Sequence, residues 1–335
     1  MTVTKFTVGR RTDPRVWDVR SILSGVVTWT TDLNYSAGTL EFEMIEVNEG
    51  FTPHMGDIVE FYWDNTKVFY GYVFDFKYTN EKFTVTAYDK LRYFKNQDSL
   101  VWPVSTLSQR FTKVAKMAGV SYRVVNNSEH KLVAEVADGK SYFDMLQSSI
   151  ETTQKATGSQ FFLATNYDTV ELRKAPYKET TLVVGDKSLM TKFEYEQSID
   201  DAANVVRVIR ENEDKGQRST ATAGTKDPSN TSFTAVTASG NINKWGRLQT
   251  IETAEEKANE AQMRQQAKDL LKSKNKPTNK LTLTVIGDPA LVAGNSAWLK
   301  VQSLADIGYG TQAMLITKAT HRFSADYMAD IEMKV

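Results

Sequence analysis

"GDPALVAGNSAWLKV", residues 287–301, lies between two alternating segments near the C-terminus, and a stretch built the same way, "FTPHMGDIVEFYW", occupies residues 51–63. In each, a glycine (Gly294, Gly56) is followed by a small polar residue (Asn295, Asp57) and then by a strand-like run. Outward from these stretches the likeness continues. "TLEFEMIEV" corresponds to "KLTLTVIGD", and "FYGYVFDFKYTNEKFTVTAY" corresponds to "MLITKATHRFSADYMADIEM". Apolar residues at every second position are the mark of strands. The glycine supplies a positive φ that an ordinary residue resists by roughly 1–2 kcal/mol. The sequence therefore predicts two copies of one antiparallel β module, each a strand, a glycine turn, a second strand, a long strand, a polar reversal and a closing strand. Chance likeness between two unrelated meanders is the competing reading. A true repeat has a geometric consequence: three such chains around an axis present six similar modules.

The first copy is preceded by "RSILSGVVTWTTDLNYSAGTLEFEMIEV", residues 20–47, which reads as two strands around a polar turn. Turns at Asp64-Asn65 and Asn80-Glu81 complete a meander with reversals every 8–12 residues, the spacing of a small barrel or sandwich. From residue 98 the period changes. Leu107, Phe111, Val114, Ala115 and Ala118 form one helical stripe, with Gly119 as the stop. A second helix is predicted from Ser141 to Thr157 with Gly158 behind it, a strand at "VSYRVV", and a hairpin in "QFFLATNYDTVELRKA" turning at 166–168.

Strand alternation returns in "ANVVRVIREN", residues 203–212. It leads into a segment rich in Ser, Thr, Gly and Asn, 211–244, that lacks the aliphatics a core needs and reads as a polar excursion. "TAEEKANEAQMRQQAKDLLKS", 253–273, reads as a helix opened by a Thr253/Glu256 capping box, with a thin apolar face made of Met263, Leu270 and Leu271. The expected organisation is thus mainly β with α+β. A β-barrel module spans 1–97, an α+β middle domain 98–180, and a second barrel module 181–335 that carries the excursion and the helix.

Composition narrows the function. At 335 residues the chain exceeds one ordinary core. Its 41 basic and 41 acidic residues balance, so no global field draws it to nucleic acid or anionic lipid. Cysteine is absent, which removes disulfides, thiolate metal sites and cysteine nucleophiles. No run of about 18 apolar residues is present to span a bilayer, and "MTVTKFTVGRRTDPRV" lacks the apolar region of a secretory signal. Assembly in a cytoplasm, without membrane insertion, is the expectation.

Candidate chemistry is sparse. His54, His130 and His321 have no partners at metal-ligand spacing and read as ordinary surface or turn residues. Asp200-Asp201 with Glu194 or Glu196 would make a glycosidase carboxylate pair, but a turn before the strand at 203 explains the aspartates more simply. The serines lack a nucleophile elbow, and no phosphate-cradling glycine motif occurs. The aromatics of "FYWDNTKVFYGYVFDFKY", 61–78, suit a sheet core and subunit contacts better than base or sugar stacking. The basic runs "GRRTDPR" and "KDLLKSKNKPTNK" read as solvated faces. No catalytic, cofactor-binding or metal-binding residue is expected. Trp29, Phe61, Trp63, Val285 and Trp298 are expected as apolar anchors at an inter-module interface.

With these features in place, the chain resembles the hub (late control) proteins of phage baseplates and phage-tail-like particles, of the Gram-positive contractile-tail type. The carrying residues are "SGVVTWTTDLNYSAGTLEFEM", "GDIVEFYW", "VFYGYVFDF", "DDAANVVRV", "NKWGRLQTIET" and "KLTLTVIGDPALVAGNSAWLKV". The resemblance implies a structural, non-enzymatic role in a virion or a bacteriocin-like particle. It implies a homotrimeric ring that caps a hexameric tail tube, holds a trimeric central spike and meets tape-measure and baseplate wedge proteins. Strands at 40–47, 58–63, 281–286 and 297–301 would form the six walls of its channel. The competing reading is a module that binds or hydrolyses cell-wall glycan through the middle domain. A secretion-system hub would share the mechanism and differ in its host machine.

Overall fold

The computed structural model describes residues 2–33, 36–46, 51–212, 232–254 and 258–335. They fall into two compact units, one made of Met1–Glu194 with Leu281–Val335 and the other of Tyr195–Lys280. The second is an insertion between two strands of the first.

The first unit opens with β1 (Val3–Gly9), β2 (Val16–Asp18), β3 (Leu23–Asp32), β4 (Thr39–Ile45), β5 (Ile58–Trp63), β6 (Thr66–Thr79) and β7 (Lys82–Tyr88). The two-residue reversals that join β5 to β6 and β6 to β7 are Asp64-Asn65 and Asn80-Glu81, all four residues at positive φ. That conformation matches the twist of tight hairpins and favours Asn and Asp. Along β4 and β7 every second side chain is buried: Leu40, Phe42 and Met44, then Phe83, Val85 and Ala87. Their core is completed by Phe6, Val59, Phe61, Trp63 and Phe69.

The middle segment contains β8 (Gln97–Trp102), β9 (Ser105–Thr106), α1 (Leu107–Met117), β10 (Tyr122–Val124), β11 (Lys131–Leu132), β12 (Glu135–Ser141), α2 (Tyr142–Thr157), β13 (Phe161–Asn166) and β14 (Thr169–Lys174). Both helices start in capping boxes, Thr106 with Gln109 and Ser141 with Asp144. Gly119 and Gly158 end them at φ 66° and 71°, as left-handed stops do. The helical stripe read from the sequence is the buried one, since Leu107, Phe111, Val114 and Ala115 pack with Phe143, Met145, Leu146 and Ile150. A buried arginine fixes one side. Arg110 donates to Ser105 Oγ at 3.1 Å, Ser149 Oγ at 3.1 Å and the Val133 carbonyl at 2.7 Å, and pairs with Glu135.

The chain then forms β15 (Glu179–Gly185) and β16 (Met190–Ser198) and enters the inserted unit. This contains β17 (Val205–Asn212), β18 (Ser232–Ser239), α3 (Ile242–Trp245), β19 (Gln249–Thr253) and α4 (Glu260–Lys274). β17 sits between β18, antiparallel, and β19, parallel. Two expectations change here. Part of the polar excursion is a strand, because β18 borrows its order from eight paired positions along the apolar β17; residues 213–231 lie outside the described residues. The helix begins at Glu260 rather than 253, since Thr253 completes β19 and the cap is Asn259 with Gln262; Glu256 lies outside the described residues. Its thin apolar face does find a partner, with Met263 and Ala267 packed on Val206 and Val208.

The first unit resumes with β20 (Thr278–Ile286), β21 (Ser296–Lys300), α5 (Gln302–Ala305), β22 (Gln312–Phe323) and β23 (Met328–Met333). The mainly β, α+β class is borne out, but the two modules do not make two separate sheets. One 13-stranded sheet runs β16-β20-β23-β22-β3-β4-β7-β6-β5-β1-β2, with β15 and β21 attached beside β22.

Candidate assembly site: two equivalent modules and their junction

The strand order β4-β7-β6-β5 in the first module is repeated as β20-β23-β22-β21 in the second. Register agrees residue by residue. Leu40, Phe42 and Met44 face Ala87, Val85 and Phe83, while Leu281, Leu283 and Val285 face Met333, Ile331 and Ala329. Both long strands carry an irregularity at the same place, between Val73 and Asp75 and between Ile316 and Lys318. β-Bulges are specific features of a ladder, so their coincidence argues against chance likeness. The reversals differ in length, the two residues Asn80-Glu81 against the five of 323–327. The letters therefore align only with an offset between the ascending and descending strands.

The glycine turns agree to the level of single hydrogen bonds. Gly56 N–H donates to the Val73 carbonyl at 2.7 Å and Gly294 N–H to the Ile316 carbonyl at 2.9 Å. Val73 and Ile316 return the bond to the carbonyls of Asp57 and Asn295, each at 2.9 Å. The glycines adopt φ 82° and 94°, and the small polar residues after them are buried. Asp57 pairs with Arg10, and Asn295 Nδ2 donates to the Ala290 carbonyl at 2.9 Å.

The modules meet where the outer half of β22 pairs with β3, Lys318–Phe323 against Asp32–Val27. Thr30 and Thr320 hydroxyls lie 3.3 Å apart there, and Trp29 stacks on His321. His321 corrects its sequence reading as a surface or turn residue, for it is fully buried. Its Nε2–H donates to the Leu291 carbonyl at 3.0 Å and its Nδ1 accepts from the Tyr327 hydroxyl at 2.8 Å, so the neutral ring is satisfied at both nitrogens. Burial pulls its pKa down to about 4, against the Leu291 hydrogen bond. The signal was available, since His321 falls in the alternation of buried Ala319 and Phe323.

Of the anchors expected from the sequence, Trp29, Phe61 and Trp63 lie beside this junction, with Phe61 against Phe323 at 4.9 Å and Trp63 against Phe323 and Tyr327 at 5.1 and 5.2 Å. Val285 is inside the second module's core. Trp298 stands apart and 43% exposed. Its counterpart in the first module is Glu60, opposite Tyr70 as Trp298 is opposite Ala313. Glu60 is covered: the Tyr167 hydroxyl from the middle segment donates to it at 2.9 Å, and Lys5 pairs with it. Asp200 and Asp201 are exposed in the turn after β16, as are Glu194 and Glu196 on that strand. Among the described residues no cluster of three or more His, Asp or Glu is placed to hold a metal, and no helix is long and apolar enough to cross a membrane.

A buried polar joint was not legible beforehand. Asp89, at the end of β7, accepts from the Gly38 and Leu91 amides, both at 2.9 Å, and faces a cavity of about 70 Å³ lined also by Trp29, Thr165, Tyr167 and Ala293. That volume suits a few waters rather than a substrate. Burial lifts the Asp89 pKa to about 7 despite the hydrogen bonds from the Gly38 and Leu91 amides, which favour the charged form.

Residues 27–334 match the model of the YQBQ-like family. The chain belongs to that family. A relative from Bacillus subtilis (strain 168), the phage-like element PBSX protein XkdQ, is 26% identical over 249 residues, 73% of this chain and 72% of its own. The fold is similar to that of the 43 kDa tail protein of prophage MuSo2 from Shewanella oneidensis, with TM-score 0.66, 13% identity and 98% of both chains covered. It is also similar, at TM-score 0.54 and 10% identity over 92% of this chain and 73% of the other, to an Escherichia coli component of the type VI secretion system, itself described as structurally similar to the T4 tail proteins gp27 and gp5. The resemblance to phage baseplate and tail proteins is borne out.

Proposed function

We propose that the chain is a structural tail hub, a homotrimeric ring of pseudo-sixfold symmetry that joins a hexameric tail tube to a trimeric central spike. The observation that carries this reading is the equivalence of the two modules in strand order, register, bulge and turn. A threefold assembly that must mate with a sixfold cylinder needs six like surfaces, and a duplicated module in each of three chains supplies them. The neutral charge balance favours a scaffold over a nucleic-acid reader. The host machine is a contractile phage tail or a tail-like bacteriocin, with the equivalent secretion-system hub built on the same mechanism. Tape-measure and baseplate wedge proteins are the further neighbours.

Ring closure can depend on partner surface, so the test is made in the particle. Electron microscopy of tails with the chain tagged is expected to place three copies on the axis between tube and spike. Copies found only at the periphery, or a purified chain that binds and cuts muropeptides, would overturn the reading.

A further inference from the structure

The outer face of the first module carries a row of cations seated on aromatic rings. Tyr70, Tyr72 and Phe74 take every second position of β6, while Phe69 and Val73 between them join the core around Phe61. Arg11, from the loop between β1 and β2, lies over the Tyr72 ring at 4.9 Å. Lys90 and Arg92, from the 3₁₀ turn Lys90–Lys95 that follows β7, lie over Tyr70 at 5.3 Å and over Phe74 at 5.0 Å. The rings brace one another: Tyr70 meets Tyr72 at 5.9 Å, and Tyr93 bridges Tyr72 and Phe74 at 5.7 and 6.0 Å. Three positive charges thus follow the repeat of one strand, each held where a ring face favours a cation. None of the three forms an ion pair among the described residues. Hydroxyls are what Arg11 and Lys90 bond instead, Tyr93 at 3.2 Å and Ser121 at 3.4 Å. Glu60, on the neighbouring strand, is already held by Lys5 and Tyr167. Burial lowers the Lys90 pKa; the charge of Asp168 raises it, and that of Arg11 lowers it further. Lys90 and Arg11 therefore repel each other across the Tyr70–Tyr72 pair.

We infer that this row binds an acidic segment of a partner protein, in extended conformation with carboxylates at every second residue. An extended chain advances about 6.6 Å per two residues, the repeat of β6 itself, so successive carboxylates of such a segment reach successive cations. Arg11 and Arg92 can each offer a carboxylate two parallel N–H groups, and the bound charge relieves the repulsion between Arg11 and Lys90. Complementary charge across a contact of this kind selects the partner. Nucleic acid fits the surface less well. Single strands are held by bases stacked on open ring faces, and here those faces are taken by the chain's own cations. The balanced charge of the whole chain supplies no general field for a phosphate backbone either. Every residue of the row belongs to the first unit, and the inference does not depend on the copy number or axial position proposed above.

The test uses the full chain and a short fluorescent peptide that alternates Glu and Thr, with binding followed by anisotropy. Saturable binding is expected, lost when Gln replaces Glu in the peptide and weakened by added salt. Arg11→Gln with Arg92→Gln is expected to weaken it at least about tenfold. Arg207→Gln with Lys268→Gln, an equal change of charge at exposed positions of the second unit, is expected to leave it unchanged. A second pair guards against mere loss of folding: Arg11→Glu with Arg92→Glu is expected to reverse the preference, so that a peptide alternating Lys and Thr binds more tightly than the acidic one. No saturable binding of the acidic peptide, or equal weakening by the two Gln pairs, would overturn the inference. A thymidine oligonucleotide that binds the wild type more tightly than the acidic peptide would overturn it too, and would make the row a nucleic-acid surface.

Discussion

Trp29 and His321 stack across the in-chain junction, ring centroids 5.1 Å apart and planes within 29°, at the one register where β3 and β22 face each other through aromatic rings. His321 is held neutral there by burial and by its bonds to Leu291 and Tyr327. Its folded pKa of about 4 lies below the unfolded value near 6.5, so between those values the unfolded chain binds the extra proton. Acidification through that window therefore destabilises the fold, by an amount on the order of 3 kcal/mol. His321→Phe removes the titration and strands two polar partners, so it is expected to be less stable at pH 7 and to lose less on acidification. Urea unfolding of both proteins from pH 7 to 4 checks this; parallel curves would show that His321 titrates normally.

Asp89 acts with the opposite sign. Its folded pKa, raised to about 7, exceeds the unfolded carboxylate value, so from about pH 4 to 7 the unfolded chain has released a proton that the fold retains. Stability from this group falls as pH rises through the window and is level above it. The two buried groups offset each other in the wild type. Asp89→Asn should reveal the His321 slope alone, seen as a steeper rise of unfolding free energy between pH 4 and 7.

The equivalent glycines are not equally replaceable. Alanine at Gly56 meets nothing within 4 Å and bears only the positive φ, a cost of roughly 1–2 kcal/mol. A Cβ at Gly294 would come within 2.2–2.3 Å of the buried Phe162 ring, so Gly294→Ala is expected to cost about 2 kcal/mol more, as overpacking does. Thermal unfolding of both variants measures the gap. Equal losses would mean that Phe162 moves aside freely.

Much of this architecture was legible because it is written in local periods. Alternation exposed β4, β7, β20 and β23, and the helical stripe and glycine stops exposed α1 and α2. The repeat was visible because Gly56 and Gly294 answer a backbone demand no other residue meets cheaply. What escaped was long-range. That β22 pairs with β3, nearly three hundred residues earlier, leaves no mark within either strand. The burial of Asp89 and Arg110 depends on elements that come together only in the fold, and single charged residues look alike whether solvated or enclosed.

The start of α4 separates a sequence signature from the cap that forms. Thr253 and Glu256 have the spacing of a capping box, yet Thr253 is spent in β19, whose parallel pairing with β17 holds its backbone extended. Six residues intervene before the helix, and at its start Asn259 Oδ1 accepts from the Gln262 amide at 2.9 Å while Gln262 Oε1 accepts from the Asn259 amide at 2.8 Å. Both ends of that reciprocal pair satisfy amides that the first helical turn leaves without carbonyl partners. Asn259→Ala should therefore cost about 1 kcal/mol and increase amide exchange in the first turn of α4, where Met263 packs on Val206 and Val208. Thr253→Ala should leave that turn's exchange unchanged and act, if at all, on the β17–β19 ladder. Hydrogen exchange resolved at 258–266 distinguishes the two, and protection lost in Thr253→Ala but kept in Asn259→Ala would move the cap back to the earlier box.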